Sequence, residues 1–404
     1  DTKGTDHDHP RIHRTASSMR VVYLTHYGEL YGANRSMLDL IVEGRERHGL
    51  VPFVIAAREG PLLDRLTALH IPHAVVRFQP WMEKRHYMGG PHHRLMQLLR
   101  YGQARRARER ANREALSEIA QQCKAWKVDL IHVNSSVIGI GSDLARRLSI
   151  PWVWHIRELH RQHYGFAVDG GLGRFAKALR SADAVIAPSQ AVVADIREIA
   201  GASVGSELVP NGVLWIERRR ELETLADTRW QRTEPFRFAL VGVFHPAKGQ
   251  LEAIEALARV RSTGVDATLV LAGTGRSSAV EERIAVLGMA PYITLSGFVD
   301  DPFTIYQNAH CVLNCSRHEA FGRTTLEGMA SGLPVIGHAS GATVELITPG
   351  ENGMLYHTLD ELVNCMGELA SDPDRARTLG TSAMAKLPAS ALVGAMTEAT
   401  VRVY

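Results

Sequence analysis

Short apolar runs, many of them β-branched, recur along the chain from Met19, separated by stretches whose apolar residues return every three or four positions. RVVYLTH, VPFVIAA, HAVVRF, DLIHVN, PWVWHI and DAVIAPS predict strands, and residues 34–48, 94–122 and 171–180 predict amphipathic helices between them. Near-continuous apolar strands alternating with helices imply a parallel sheet covered on both faces. At 214–235 the rhythm lapses into the charged segment LWIERRRELETLADTRWQRTEP, then restarts with FRFALVGV, ATLVLAG, YITLSG, CVLNCS and PVIGH. The expected fold class is α/β, with two Rossmann-like doubly wound domains facing a central cleft. Such folds take ligands at the carboxyl ends of their strands.

A chain of 404 residues is too long for one ordinary core, which agrees with two domains. The divisions expected are 1–18 as a polar, His-rich leader, 19–213 and 236–387 as the domains, and 214–235 as the linker. The last segment, 388–404, is expected to form a helix that folds back across the first domain. Charge changes this picture in one place only. The whole chain carries a formal +3, yet 84–113 holds nine Lys or Arg against the single acid Glu109. Four cysteines are too few for a disulfide framework and lack the second pair a zinc site needs, so reduced thiols are expected, as in a cytoplasmic protein. No apolar run approaches the ~18 residues of a membrane span.

Three strand-to-helix turns are suited to an anion, because helix N-termini carry unpaired N–H groups and partial positive charge. Gly28 and Gly32 follow the first strand, Lys248 and Gly249 follow FALVGV, and Gly322 with Arg323 follows CVLNCS. Each alone is ordinary turn chemistry; three on two facing domains point to phosphate. The P-loop pattern is absent, and LAGTGRS has Ser at the third glycine position of the dinucleotide fingerprint, which disfavours a dehydrogenase.

The stretch HEAFGRTTLEGMASGLPV leaves two readings of Glu327 open. Thr324-Thr325-Leu326-Glu327 fits a capping box, a helix-stabilising device of about 1 kcal/mol. A carboxylate there also suits the vicinal hydroxyls of a ribose.

These residues resemble the glutamate pair of the retaining glycosyltransferases of family 4, which adopt the two-domain GT-B fold. The similarity runs over nearly the whole chain from Met19, through LVPNGV, VGVFHPAKGQLEAIEAL, LAGTG, ITLSGFVDD and HEAFGRTTLEGMASGLPVIGHASGATVELITPGENGML. The resemblance implies that 19–213 serves the acceptor and 236–387 a nucleotide-sugar donor of UDP or GDP type. It gives Glu327 the ribose, Glu319 the transferred sugar, and the amides of Gly322, Arg323, Thr324 and Thr325 the diphosphate. Lys248 matches the family's phosphate lysine, Gly32 a glycine of the first loop, and His155 a histidine that reaches the donor sugar. Phe298 and Val299 stand where the base packs. Asn134 and Arg157, at strand ends of the first half, are assigned to the acceptor side.

Three positions depart from the family pattern. Val243 stands where an arginine is common, Tyr31 where a second glycine is, and Asn34 where an acid is. Arg323 or Arg35 is the expected substitute cation. No D-x-D strand end follows Met19, so neither metal nor cofactor is expected. Catalysis would come from fixed donors aimed at the leaving phosphate. The acceptor expected is a glycan or a lipid-linked hydroxyl. The basic segment 84–113 suits an anionic membrane surface, which would make the chain peripheral at the inner face. Without aromatic interleaving or a known module, nucleic acid is not an expected partner. The competing readings are a nucleotide-sugar epimerase and a non-catalytic subunit that binds donor or glycan.

Overall fold

A computed structural model describes residues 18–84, 91–160, 166–202, 204–226, 230 and 235–404. In the first half the strands are β1 (Arg20–Thr25), β2 (Val51–Ala56), β3 (His73–Val75), β4 (Met82–Lys84), β5 (Leu130–Val133), β6 (Trp152–His155), β7 (Phe166–Val168), β8 (Ala184–Ala187) and β9 (Glu207–Leu208). Seven of them form a parallel sheet of order β3-β2-β1-β5-β6-β8-β9, while β4 and β7 pair antiparallel beside it. In the second half are β10 (Phe236–Val241), β11 (Ala267–Ala272), β12 (Ile293–Gly297), β13 (Cys311–Asn314), β14 (Val335–His338) and β15 (Gly353–Tyr356), in the order β12-β11-β10-β13-β14-β15.

The apolar runs become strands because both sheet faces are covered. Val22 and Leu24 of β1 pack into one core with Ile131, Trp152 and Trp154, while Val21 and Tyr23 enter another with Met37, Leu40 and Ile41. Those last three lie on the inner face of the helix Gly32–Arg47 at i, i+3 and i+4. Full burial of one such side chain stabilises by ~1.5–3 kcal/mol, so period-two alternation fixes the register strongly.

Two adjacent segments join the halves. The N–H of Val213 donates to Ala391 O (2.9 Å), and that of Val393 to Leu214 O (3.0 Å). Gly212 is required there, since a Cβ would lie 2.5 Å from the Val393 Cα. The C-terminal helix Val393–Val403 then packs on the helix Gly32–Arg47, with Val393 and Met396 in the first half's core. The segment 214–235 carries a helix, Ile216–Leu225; residues 227–229 and 231–234 lie outside the described residues, as do 1–17 of the leader and 85–90 of the basic segment.

The halves also touch across the cleft mouth. Ser189 donates through Oγ to Ala320 O (2.6 Å). The Glu345 carboxylate accepts the N–H groups of Gln190 (2.9 Å) and Ala191 (2.7 Å), which open the helix Gln190–Ala200. The carboxyl ends of both sheets face one shared cleft.

Candidate functional site

The space between the sheets is a cleft of about 620 Å³, lined by both halves. Lys248 enters from the 3₁₀ turn Pro246–Lys248 after β10; the Ala247 N–H donates to His245 Nδ1 (3.1 Å) and Gln250 Nε2 donates to Val243 O (2.8 Å), which fixes that turn. The ammonium reaches Glu319 Oε2 at 3.0 Å. Glu319 itself is anchored by its carbonyl, which accepts from Ala342 N–H (2.7 Å).

Gly322 adopts φ +87° as the N-cap of the helix Arg323–Ala330, a conformation that a side chain would strain. The first intrahelical bond recorded there runs from Leu326 N–H to Gly322 O (3.2 Å), so the amides of Arg323, Thr324 and Thr325 lie ahead of it. Thr324 lines the cleft, whereas Thr325 is buried and accepts from Asn314 Nδ2 (2.8 Å).

Glu327 is 3 % exposed, and its oxygens face the Arg323 guanidinium (Nε to Oε1, 2.8 Å) and the Tyr306 hydroxyl (3.3 Å to Oε2). This overturns the capping-box alternative: the cap is Gly322, and no side chain caps the helix. Burial raises the carboxyl's pKa, and the charges of Arg323 and Arg35 pull it back down. Arg323 continues across the cleft, donating to Ser36 Oγ (3.0 Å) and Gly212 O (3.4 Å). Opposite it stands Gly32, whose absent Cβ would lie 3.9 Å from the Arg323 Cδ.

At the other end Phe298 is 53 % exposed, with the Arg35 guanidinium 6.0 Å from its ring centroid and Arg35 Nη2 donating to Val299 O (3.3 Å). The structure thus gathers Glu319, Lys248, Glu327, Arg323, Thr324, Gly32, Phe298, Val299 and Arg157 around one cleft. Gly322 and Thr325 support it from behind.

His155 is not among the lining residues. It is fully buried, its ring centroid 5.4 Å from that of His132, and neither nitrogen makes a hydrogen bond among the described residues. Strand alternation explains this: His155 shares its side of β6 with Val153, which faces the core under the helix Gly32–Arg47. Burial and the Arg157 charge hold its pKa well below the usual value. Asn134 is likewise buried and serves as a bracket, its Oδ1 accepting from Arg157 Nε (2.7 Å).

Sequence reasoning did not assign Tyr27, Asn211, Arg58 or Thr274, all of which line the cleft. Asn211 lies in the LVPNGV segment, and Tyr27 and Arg58 directly follow β1 and β2, which was the available signal. Glu158 also lines the cleft; its carboxylate accepts from Ser135 Oγ (2.6 Å), Ser136 N–H (3.1 Å) and Ser136 Oγ. Among the described residues no group of three or more His, Cys, Asp or Glu could hold a metal ion.

Two family profiles match the chain in tandem: "Glycosyl transferase 4-like domain" over residues 31–212 and "Glycosyl transferases group 1" over 235–372. Glycogen synthase of Mycobacterium tuberculosis is 24% identical over 302 residues, 70% of this chain and 69% of that protein. The GDP-mannose-dependent alpha-(1-6)-phosphatidylinositol dimannoside mannosyltransferase of the same organism is 32% identical over 128 residues, 31% of this chain and 33% of its own length. Among solved structures, HepE of Anabaena in complex with UDP and glucose superposes with a TM-score of 0.75 at 22% identity, covering 95% of this chain and 98% of that one.

Proposed function

The chain is a GT-B glycosyltransferase of family 4, and from that premise we propose that its cleft transfers a sugar from a nucleoside diphosphate to an acceptor hydroxyl with retention of configuration. The observation that carries this is the convergence of Glu327, Lys248, Glu319 and the amides at 323–325 on one space opposite Gly32.

In this reading Glu327 accepts two hydrogen bonds from the ribose, the base lies beside Phe298 and Val299, and Lys248 with the helix amides holds the diphosphate. Glu319 orients the sugar hydroxyls and keeps Lys248 in place. The bond from the anomeric carbon to the β-phosphate oxygen breaks as the acceptor oxygen bonds to that carbon on the same face. The acceptor's proton passes to the departing phosphate oxygen. Fixed donors aimed at that oxygen, in a cleft shielded from water, supply the catalysis. His155 acts from beneath the floor, as packing for Arg157 and the β5 and β6 ends.

The donor is of UDP or GDP type, and the acceptor is a glycan or a lipid-linked sugar, in polysaccharide, lipopolysaccharide or glycolipid synthesis. The similarity to a mannosyltransferase of phosphatidylinositol dimannoside supports a lipid-borne acceptor. So does the long helix Pro91–Trp126. Leu95, Met96, Leu98 and Leu99, on its first turns, are between 49 % and 56 % exposed, with Arg94, Arg100, Arg106 and Arg110 exposed around and after them. Half-buried Gln97, Tyr101, Ala104, Arg105 and Arg108 mark the opposite side. An apolar stripe flanked by arginines fits the interface of an anionic bilayer, and this surface would hold the enzyme at the inner face of a membrane. No helix among the described residues is long and apolar enough to cross one.

A thermal-shift panel of UDP, GDP, ADP and their sugars tests the donor reading. A ligand at 100 times its Kd stabilises by about 2.7 kcal/mol, a visible shift. One nucleotide series should shift the wild type; no shift with any nucleotide would overturn the reading.

A further inference from the structure

Five cations line the cleft, Arg35, Arg58, Arg157, Lys248 and Arg323, against three carboxylates, Glu158, Glu319 and Glu327. Lys248 is paired with Glu319 and Arg323 with Glu327. Arg58 is exposed and so keeps its hydration, and Arg35 is only partly buried. Arg157 differs from all of them. It is 8 % exposed and makes no ion pair among the described residues; Glu158, its neighbour, is turned to Ser135, Ser136 and the Arg157 backbone N–H. Its Nε donates to Asn134 Oδ1 and its Nη1 to Asn211 Oδ1, both neutral amides, and its Nη2 has no hydrogen-bond partner among the described residues. Burial accordingly pushes its pKa down to about 10. The Glu158 charge still favours the cation, but no carboxylate is paired with it; a buried charge left unpaired is costly, and a bound anion would offset that cost.

The two brackets show which anion. Asn134 Nδ2 also donates to Ala33 O (3.3 Å), in the first turn of the helix that starts at Gly32. Asn211 adjoins Gly212, whose carbonyl accepts from Arg323 at the start of the facing helix. Arg157 is therefore held between the two helix starts that face each other across the donor space. We propose that Arg157 takes a non-bridging oxygen of the donor's diphosphate, supplying from the first half the cation that Val243 does not supply from the second. Because Lys248 already answers Glu319, Arg157 carries the positive charge that the diphosphate finds uncompensated. It also links donor binding to the apposition of the halves, since the phosphates touch both.

This inference rests on the donor-site reading above, and calorimetry separates the two. Uridine, UMP and UDP, with guanosine, GMP and GDP in parallel, are titrated into the wild type, Arg157→Gln and Arg157→Lys. In the series that binds, Arg157→Gln should lose tenfold or more for the diphosphate while nucleoside affinity stays within twofold, and Arg157→Lys should recover part of the loss. An unchanged diphosphate affinity overturns the inference, as does an equal loss for nucleoside and diphosphate. A rise in acceptor KM with unchanged donor Kd overturns it too, because the anion then belongs to the acceptor. Nucleotides that fail to bind the wild type overturn the donor site itself. If Arg157→Gln melts below the assay temperature, the same nucleoside-to-diphosphate comparison is read from Arg157→Lys, with a loss again confined to the diphosphate.

Discussion

Replacing Glu327 by Gln removes one charge and no volume from a residue that is 3 % exposed. Two effects follow, and they separate. The first is on the fold: Arg323 loses its 2.8 Å carboxylate partner but keeps Ser36 Oγ, Gly212 O and the more distant Asp39 carboxylate (3.8 Å). Breaking a buried pair costs about 3–5 kcal/mol, and a surface pair far less. Arg323, 19% exposed and keeping two hydrogen-bond acceptors and the Asp39 carboxylate at 3.8 Å, puts this loss at about 1–2 kcal/mol. The second is on the donor. A hydrogen bond to a charged group contributes ~1.5–3 kcal/mol against ~0.5–1.5 for a neutral one. Two ribose hydroxyls therefore lose about 2–3 kcal/mol, roughly 30–150-fold in Kd at ~1.4 kcal/mol per decade.

Calorimetry with the ribonucleotide and its 2′-deoxy analogue forms a double-mutant cycle. The wild type should discriminate strongly against the deoxy compound and Glu327→Gln weakly, so the two losses should not add. Additive losses, or unchanged ribonucleotide affinity in the variant, would refute the ribose role.

Lys248→Ala should lower kcat/KM by one or more decades, ~1.4 kcal/mol each, measured as initial rates of nucleotide release; full activity would remove Lys248 from the reacting centre. Burial depresses His26 to about 4 and His132 and His160 to about 3, with His155 also well below its usual value. The unfolded chain therefore binds more protons, and stability present above pH ~6.5 should fall as pH drops, by up to ~1.4 kcal/mol per unit for each ring. Urea titrations from pH 7 to 5 should show this fall, and His160→Phe, beside Phe175, should lessen it by one ring's share; a flat wild-type profile would contradict the burial of these rings. Flotation with anionic vesicles should carry the wild type at low salt, and Leu95→Ser with Leu99→Ser should reduce it; equal flotation of both would show that this stripe does not insert.

The strands were legible because both sheet faces are buried: RVVYLT, VPFVIA and ATLVLA each read as continuous apolar runs and each pairs in parallel. β4 and β7 were not, since three-residue edge pairs in MEK and FAV carry too little periodicity. The short β15, GMLY, follows a turn without a β-branched residue to mark it. Glu319, Glu327 and Lys248 were singled out because the stretches that hold them resemble the family's, and all three line the cleft. Glu327 had two local explanations, and only burial against Arg323 and Tyr306 separates them. His155 shows that position and side-chain direction are separate matters: it ends β6, at the cleft end of the sheet, while the alternation that buries Val153 turns its ring to the core. Arg157 depends on Asn134 and Asn211, 23 and 54 residues away, and Arg323 on Ser36, 287 residues away. Contacts of that separation are created by topology, and local pattern does not encode them.

The structure of the chain with the nucleoside diphosphate that stabilises it most would show where the donor lies. The ribose hydroxyls should lie on the Glu327 carboxylate, with the diphosphate between the Lys248 ammonium and the amides of Arg323, Thr324 and Thr325. A nucleotide bound elsewhere, or in this cleft with Glu327 still held only by Arg323 and Tyr306, would contradict it.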